Sequence, residues 1–288
     1  MTIANDLKHL RDFAKTYLGN IVHTKYEFRG HRCNFLEAGQ GEKIIMLHGN
    51  ATTKTYWRQI MQLLAPSYHC IALDVPGYIL EDSNYWNRFT FKHMNLWLTE
   101  SLQAINVNEN ETFHLVGYCS GAAVAAYYSA THPERVRSLT MLSIPSIYVN
   151  PHLSLSERKG LLESRWVENE EQFYEALKSA FVEPPYVPAL AVRKYIQNMR
   201  GKRGLFNQMV EDTCNSAPLL ISKLAHINIP VLSMTGDRDS LSPICQMNDM
   251  RAIIPQIQSH VVPRCCHLSL IEQPEIIASH LSKFLKDI

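Results

Sequence analysis

The residue of this sequence best suited to covalent chemistry is Cys119, which lies between Gly117 and Gly121. An apolar run at 113–116 precedes this segment, and an alanine-rich, helix-forming run at 122–128 follows it. A strand that turns sharply into a helix and carries a nucleophile at the turn is a nucleophile elbow. The flanking glycines suit such a turn because it is strained and neighbouring backbone passes close by. The pattern therefore predicts that Cys119 is a nucleophile.

Ser120 is the alternative nucleophile in this segment. That register would place Tyr118 and Ala122 where the elbow needs glycines, so the pattern favours Cys119. The helix that begins at Ser120 points its positive end at Cys119, which favours a thiolate. A cysteine that only packs, in an inactive protein, is the remaining interpretation of Cys119, and the partner residues argue against it.

A cysteine nucleophile needs a base, and the base needs an orienting acid; in elbow enzymes the chain order is nucleophile, acid, histidine. Asp239 follows a predicted strand and is the candidate acid. Asp237 is its rival, but it lies nearer the strand end, where a carboxylate can hydrogen-bond the turn. His267 follows the last predicted strand and is the candidate base, whereas His260 lies within that strand. We therefore predict a catalytic triad of Cys119, His267 and Asp239.

An oxyanion hole requires two backbone N–H groups. Ser120, at the start of the elbow helix, is expected to supply the first. Asn50 follows His48 and Gly49 in the loop after an earlier predicted strand, and it is expected to supply the second. We interpret His48 as structural rather than catalytic.

These residues need a scaffold, and short apolar runs alternate with helical patterns along most of the chain. The strands are predicted at 26–28, 33–36, 44–47, 70–73, 113–116, 139–142, 231–234 and 259–262. The helices between them are predicted at 56–64, 91–105, 122–132 and 276–285. This alternation predicts an α/β fold with a mostly parallel, doubly wound sheet.

The alternation stops between residues 146 and 228, where the sequence is more charged and three helices are predicted, at 156–166, 171–181 and 188–199. A structureless loop of this length is uncommon in a compact domain. We therefore predict a helical cap at 146–228, inserted into a core domain formed by residues 1–145 and 229–288. Aromatic residues of the cap are candidates for an apolar substrate lining, although most are expected to pack in the core of the cap itself.

Composition excludes several classes of function. The 288 residues carry a net charge of +1, so no bulk field favours nucleic acid or a membrane surface. No run approaches the roughly 20 apolar residues of a membrane span. The charged N-terminus has no signal-peptide core and predicts an amphipathic helix over residues 3–18. Seven cysteines without framework spacing indicate free thiols and a reducing, cytoplasmic location. We expect neither a metal nor a cofactor.

Six segments together resemble the α/β-hydrolase superfamily, in its capped, single-domain branch. They are Leu47-His48-Gly49, Asp74-Val75-Pro76-Gly77, Gly117-Tyr118-Cys119-Ser120-Gly121, His132-Pro133-Glu134-Arg135-Val136, Gly236-Asp237-Arg238-Asp239 and His267 with Glu272-Gln273-Pro274-Glu275. The resemblance extends from Tyr26 to Leu285 apart from the cap, and it implies the α/β-hydrolase fold and a triad. It implies no particular substrate.

Three residues depart from the family pattern: Cys119 replaces the usual serine, Ile79 stands where a second glycine is usual, and Cys266 replaces the glycine before the histidine. The Gly-Tyr-Cys-x-Gly box is similar to that of polyhydroxyalkanoate synthases, and cysteine at this site also occurs in dienelactone hydrolases. The His267 segment and the chain length instead resemble small hydrolases, so neither of those activities is transferred to this chain.

A thiolate attacks thioesters and activated esters and also leaves well from the resulting acyl-enzyme. We therefore predict a cysteine-dependent acyl hydrolase, a thioesterase or esterase, that works through a covalent acyl-enzyme. The alternatives are an acyltransferase or cyclase that releases an acyl chain from a carrier thioester, and a low-turnover ligand-binding protein. The expected partner is a small acyl substrate, with coenzyme A or a carrier protein as candidate presenters. Arg200, Lys202 and Arg203 are a candidate dock for such a carrier, although a solvated loop is the more common interpretation.

Overall fold

The structure is a computed structural model that describes residues 21–77 and 86–288. The predicted N-terminal helix and Ile79 lie outside the described residues. Within the described residues, eight strands form one sheet. They are β1 Val22–Phe28, β2 His31–Ala38, β3 Lys43–Leu47, β4 His69–Leu73, β5 Phe113–Tyr118, β6 Val136–Leu142, β7 Val231–Gly236 and β8 Ile257–Val262.

The sheet has the order β1-β2-β4-β3-β5-β6-β7-β8. Strand β2 is antiparallel to β1 and β4, and the remaining pairs are parallel. The predicted fold class, an α/β-hydrolase fold with a mostly parallel sheet, is therefore confirmed. Parallel strands end at the same edge of a sheet, so the loops that follow β3, β5, β7 and β8 meet there. Those four loops carry every residue predicted for the site.

Helices cover both faces of the sheet. In the core they are α1 Arg58–Leu64, preceded by a 3₁₀ turn at Lys54–Trp57, then α2 Phe91–Ala104, α3 Ser120–Thr131, α9 Gln246–Ile253, α10 Ser269–Glu272 and α11 Pro274–Lys286. Alternate strand residues are buried on opposite sides: Ile45 and Leu47 join one apolar cluster, and Ile44 and Met46 the other. Burial on both faces explains why the strands read as continuous apolar runs.

The elbow helix α3 packs on β5 and β6 and is buried along most of its length. Its alanines, at positions 122, 123, 125 and 126, leave room for the sheet on one side and for neighbouring helices on the other. Strand β5, which leads into α3, is buried at every residue. The turn between β5 and α3 is therefore held by rigid elements on both sides.

Residues 146–228 hold five helices among the described residues: α4 Ser146–Val149, α5 Leu155–Glu163, α6 Glu170–Ala180, α7 Ala189–Arg200 and α8 Arg203–Leu224. Val167, Val192 and Ile196 form a small apolar cluster of their own, against which Phe173 and Tyr195 pack. The division into core and cap remains a prediction. No described helix is both long enough and apolar enough to cross a membrane.

Helix α8 was not predicted from the sequence, and it contains Pro218, a residue that is uncommon inside a helix. The helix continues through this proline, and its apolar side, with Met209, Val210 and Leu220, joins the larger core cluster. It packs on α2 and α3 of the core and on α4 and α5 of the predicted cap. Helix α8 thus connects the predicted cap to the main core.

Candidate active site

Cys119 lies at the apex of the turn between β5 and α3. Its backbone has φ +53° and ψ −124°, an uncommon conformation for a residue other than glycine. The Cys119 N–H donates a hydrogen bond of 2.9 Å to the Leu142 carbonyl at the end of β6, which fixes the apex to the neighbouring strand. The strained turn holds the thiol at the edge of the sheet, half-buried.

Gly117 and Gly121 are required at this turn because backbone passes too close for any side chain. A Cβ at Gly117 would lie 2.4 Å from the Ala122 Cα. A Cβ at Gly121 would lie 2.4 Å from the carbonyl oxygens of Leu47 and His48. These contacts match the register that places Cys119 at the apex. Ser120 is instead the first residue of α3.

His267 and Asp239 meet at the same edge of the sheet. The His267 Nδ1 lies 2.9 Å from the Asp239 Oδ2, and both residues are buried. The other carboxylate oxygen, Oδ1, accepts hydrogen bonds from the N–H groups of Leu241 at 2.9 Å and Ser242 at 3.1 Å. Burial alone would raise the pKa of Asp239, but His267 and these N–H groups outweigh it and lower that pKa. Asp239 is therefore a carboxylate, and the protonated Nδ1 of His267 donates a hydrogen bond to it.

The remaining imidazole nitrogen, Nε2, is buried, and it forms no hydrogen bond of ordinary geometry with a described residue. Burial lowers the pKa of His267, but the Cys119 sulfur and the Asp239 carboxylate oppose it and raise that pKa to about 10. Cys119 and Asp239 thus favour the protonated imidazole of His267. The structure brings all three predicted triad residues together.

Asp237, the rival acid, has a different set of contacts. It is exposed, and its two carboxylate oxygens accept hydrogen bonds of 2.9 Å from the N–H groups of Cys265 and Arg264. These N–H groups lower the pKa of Asp237. Its carboxylate thus stabilises the turn after β8, and the contacts favour Asp239 as the acid of the site.

The two expected oxyanion donors differ in availability. Ser120 is the first residue of α3, so its N–H has no acceptor within that helix. The Asn50 N–H donates a hydrogen bond of 2.8 Å to the Ser120 hydroxyl oxygen. The role of Asn50 as the second donor stays a prediction, and it requires the Ser120 hydroxyl to release this N–H. The sequence signal for this contact was the hydroxyl residue directly after Cys119.

His48 supports the loop that carries Asn50. Its Nδ1 donates to the Gly49 carbonyl at 2.8 Å, and its Nε2 accepts the Val75 N–H at 2.8 Å, so both nitrogens are engaged. Nearby, the buried Lys54 forms an ion pair with Asp74. These contacts agree with a structural interpretation of His48.

Cys265 and Cys266 are both buried beside His267. Burial raises the pKa of both thiols, so neither is suited to be a nucleophile at neutral pH. The Cys266 N–H donates a hydrogen bond of 2.7 Å to Glu272. Among the described residues, which include all seven cysteines, no disulfide is formed. No group of three or more described His, Cys, Asp or Glu residues is placed to hold a metal ion.

A cavity of about 460 Å³ opens onto Cys119 and His267. The core contributes Asn50, Tyr56 and Tyr118 to its walls, and the predicted cap contributes an apolar set: Leu153, Leu161, Leu162, Val167, Ala176, Ala180, Tyr195, Phe206 and Met209. The Tyr118 hydroxyl donates a hydrogen bond of 3.1 Å to the His267 carbonyl and so positions the histidine loop. Sequence reasoning did not identify this role of Tyr118. The cavity has the size and apolar character of a site for a small organic molecule.

The basic cluster predicted in the cap is partly engaged within the protein. Arg203 forms an ion pair of 3.5 Å with Glu168, and its guanidinium lies over the Trp166 ring. Lys202 also has an interaction partner. Arg200 ends α7 and Arg203 begins α8, so the cluster spans a short turn between two helices, and these contacts favour a solvated surface segment over a carrier dock.

Comparison with known proteins agrees with this architecture. The model of the alpha/beta hydrolase fold family matches residues 43–184. A cis-3-alkyl-4-alkyloxetan-2-one decarboxylase from Shewanella oneidensis is 26% identical, with 90% of this chain and 86% of that protein covered. Lipase 1 from Psychrobacter immobilis is 25% identical, with 88% and 81% covered. The crystal structure of a membrane phospholipase A, described as a bacterial virulence factor, superposes with a TM-score of 0.80 at 24% identity, covering 99% and 91% of the two chains.

The sheet order, the elbow at Cys119 and these similarities lead to one conclusion. The protein has the α/β-hydrolase fold and is an enzyme of that fold.

Proposed function

We propose that the protein hydrolyses carboxylic esters and thioesters of small acyl compounds through a covalent acyl-enzyme on Cys119. One observation carries the proposal: Cys119 occupies the elbow apex, and the hydrogen-bonded His267–Asp239 pair lies beside it in the same cavity. The similarity to Lipase 1 of Psychrobacter immobilis and to monoacylglycerol lipase ABHD6 of Homo sapiens supports ester chemistry.

In the acylation step, the Cys119 sulfur attacks the substrate carbonyl carbon and the carbonyl oxygen becomes an oxyanion. The Ser120 N–H and the Asn50 N–H stabilise this oxyanion. The Asn50 N–H must first release the Ser120 hydroxyl oxygen, and it then donates to the oxyanion instead. The protonated His267 then gives its Nε2 proton to the departing alcohol or thiol, and the carbonyl re-forms as an acyl-thioester of Cys119. Asp239 orients the imidazole and stabilises its charge throughout.

In the deacylation step, His267 takes a proton from a water molecule, which attacks the acyl-thioester. Collapse of the second tetrahedral intermediate expels the Cys119 thiolate and releases the free acid. The helical segment at 146–228, which we propose to be a cap, encloses the acyl chain with apolar side chains. This arrangement suits a substrate with an apolar chain.

Intact-protein mass spectrometry after incubation with a panel of acyl thioesters and esters tests the proposal. We expect the wild type to gain the mass of one acyl group and to release the free acid. Cys119→Ala should show neither, and His267→Ala should form and clear the adduct slowly. Cys245→Ala is the matched control, because Cys245 is an exposed thiol far from the elbow in sequence. Turnover by Cys119→Ala at a rate close to the wild type would refute the proposal.

Addition of an alcohol or an amine to the same reaction distinguishes hydrolysis from acyl transfer. Hydrolysis leaves the free acid as the main product, whereas a transferase forms a new ester or amide in its place. An adduct that forms on Cys119 and is never released would instead identify a ligand-binding protein with little turnover.

A further inference from the structure

Arg165 is a cation in the wall of the catalytic cavity. It follows α5, is half-buried, and lines the cavity together with Cys119 and His267. Among the described lining residues, it is the only Lys, Arg, Asp or Glu. The other walls are mainly apolar or carry hydroxyl and amide groups. Among the described lining residues, Arg165 thus supplies the one guanidinium, in a wall that also carries the triad residue His267.

The guanidinium of Arg165 has few partners within the protein. Its Nη1 donates to the Ser179 hydroxyl oxygen at 3.3 Å, and no carboxylate of the described residues lies within ion-pair distance of it. Its Nε is shielded from solvent and has no hydrogen-bond partner among the described residues. Burial lowers the pKa of Arg165, which reflects the cost of keeping this charge out of water. Asp239 forms no ion pair with Arg165, although Cys119 and Asp239 act against burial and oppose the lowering of the pKa of Arg165.

Other arginines of the same region are satisfied by the protein. Arg158 is buried, and its guanidinium donates to the carbonyl oxygens of Ile147 and Asn150. Arg193 lies on the surface of α7 and pairs with Glu170 at 3.3 Å. Arg165 differs from both, because it lines a cavity large enough for a ligand, and the one hydrogen bond of its guanidinium to a described residue is that to Ser179.

A carboxylate is the anion best matched to this position. Two carboxylate oxygens accept hydrogen bonds from two N–H groups of one planar guanidinium, and such charge-assisted pairs are among the strong hydrogen bonds of proteins. A cavity with a guanidinium and mainly apolar walls suits an organic acid with an apolar chain.

We propose that Arg165 binds a carboxylate of the substrate, so that the preferred substrates are esters or thioesters that also carry a free carboxylate. This rests on the proposed ester and thioester hydrolysis. The carboxylate belongs either to the acyl chain or to the leaving group, and both positions present the same chemistry to Arg165.

Two pairs of probes test this, each pair differing only in a carboxylate or a carboxamide. In the first pair the carboxylate or carboxamide lies at the end of the acyl chain. The two probes are a monothioester of adipic acid and the same thioester with a terminal carboxamide. In the second pair the carboxylate or carboxamide ends the leaving group, as in butyryl thioesters of mercaptopropionate and mercaptopropionamide. We expect the wild type to prefer the carboxylate probe of at least one pair in kcat/KM by about tenfold or more. Arg165→Gln should remove most of that preference, and Arg193→Gln should keep it.

Binding gives a readout that does not need turnover. The same probes are titrated calorimetrically into Cys119→Ala and into Cys119→Ala/Arg165→Gln. We expect the carboxylate probe to bind more tightly than the carboxamide probe only where Arg165 is present. This holds even if the protein hydrolyses no ester, so failure of the proposed function and failure of the Arg165 assignment are distinguishable.

Three outcomes would overturn the assignment: no carboxylate preference in either pair, a preference that Arg165→Gln leaves unchanged, or an equal loss of rate on both members of a pair. The last would mean that Arg165 acts on Cys119 and not on the substrate. If Arg165→Gln shows no cooperative thermal transition, Arg165→Lys decides instead. This variant keeps the charge but loses the planar pair of donors, and we expect it to weaken the preference without abolishing it.

Discussion

The Asn50 N–H donates its hydrogen bond to the hydroxyl oxygen of Ser120, the residue directly after Cys119, at 2.8 Å. One of the two expected oxyanion donors is therefore engaged before any substrate binds. Forming the oxyanion exchanges a neutral acceptor, the Ser120 hydroxyl, for a charged one. Because hydrogen bonds to charged groups are stronger than neutral ones, the exchange is favourable, but it reduces the net gain from the Asn50 donor.

Ser120→Ala should accordingly raise the rate of acylation. The variant frees the Asn50 N–H and removes a neutral hydrogen bond worth about 1 kcal/mol, so we expect an increase of roughly two- to tenfold in pre-steady-state acylation of Cys119. Ser222→Ala, at an exposed serine of α8, is the control. A fall in the acylation rate by a similar factor would mean that the Ser120 hydroxyl itself donates to the oxyanion.

Asp239→Asn should lower kcat strongly, whereas Asp237→Asn should not. Asparagine at 239 can no longer stabilise the imidazolium of His267 or hold its proton on Nδ1, and we expect a loss of about a hundredfold or more. The Asp237 carboxylate only accepts hydrogen bonds from the N–H groups of Arg264 and Cys265, so Asp237→Asn should lower thermal stability more than activity. Steady-state kinetics and thermal melts of both variants measure this. Similar kcat losses in the two would leave the acid unassigned between them.

Much of this site could be predicted from the sequence because strand order determines it. Parallel strands buried on both faces must be apolar, so β3 to β8 were found within a few residues of their ends. The loops at their carboxyl ends meet at one edge, which brings Cys119, Asp239 and His267 together. The bond between Asn50 and Ser120 and the unpaired Nε of Arg165 could not be predicted in this way. They depend on distances between side chains and distant backbone, which no local pattern encodes.

The stability contribution of His267 should depend on pH in a defined direction. Its pKa is raised to about 10 in the folded protein, with burial opposed by Cys119 and Asp239. Protonation of His267 therefore stabilises the fold fully below the unfolded pKa of about 6.5, and this contribution is lost as the pH rises toward 10. Urea unfolding of the wild type and His267→Ala should give a difference in the free energy of unfolding that shrinks from neutral to alkaline pH. A difference that grows with pH would contradict the raised pKa.

Glu272 joins the predicted cap to the histidine loop, and its removal should loosen both. One carboxylate oxygen accepts the Val182 N–H and the other accepts the Cys266 N–H, both at 2.7 Å. Glu272→Ala leaves these donors without their acceptor, so we expect the free energy of unfolding to fall by about 1–3 kcal/mol. Hydrogen exchange at residues 181–184 should also increase. Glu275 is an exposed carboxylate of the same segment, and Glu275→Ala should change neither the free energy of unfolding nor the hydrogen exchange. Equal effects of Glu275→Ala and Glu272→Ala would mean that the two hydrogen bonds of Glu272 are not the cause.

Cys119→Ser should show why a cysteine occupies this elbow. A serine hydroxyl has a far higher pKa than a thiol, so attack by oxygen requires His267 to remove a proton during the step, whereas a thiolate needs no such help. The oxygen ester that forms is also less activated than a thioester, so water clears it more slowly. We expect slow acylation of the variant and an acyl adduct that accumulates over minutes. Intact-protein mass spectrometry of the variant and the wild type, each incubated with the same acyl thioester, measures this. A serine variant that hydrolyses the thioester as fast as the wild type would show that the thiol is not required, and the site would then act as an ordinary serine hydrolase.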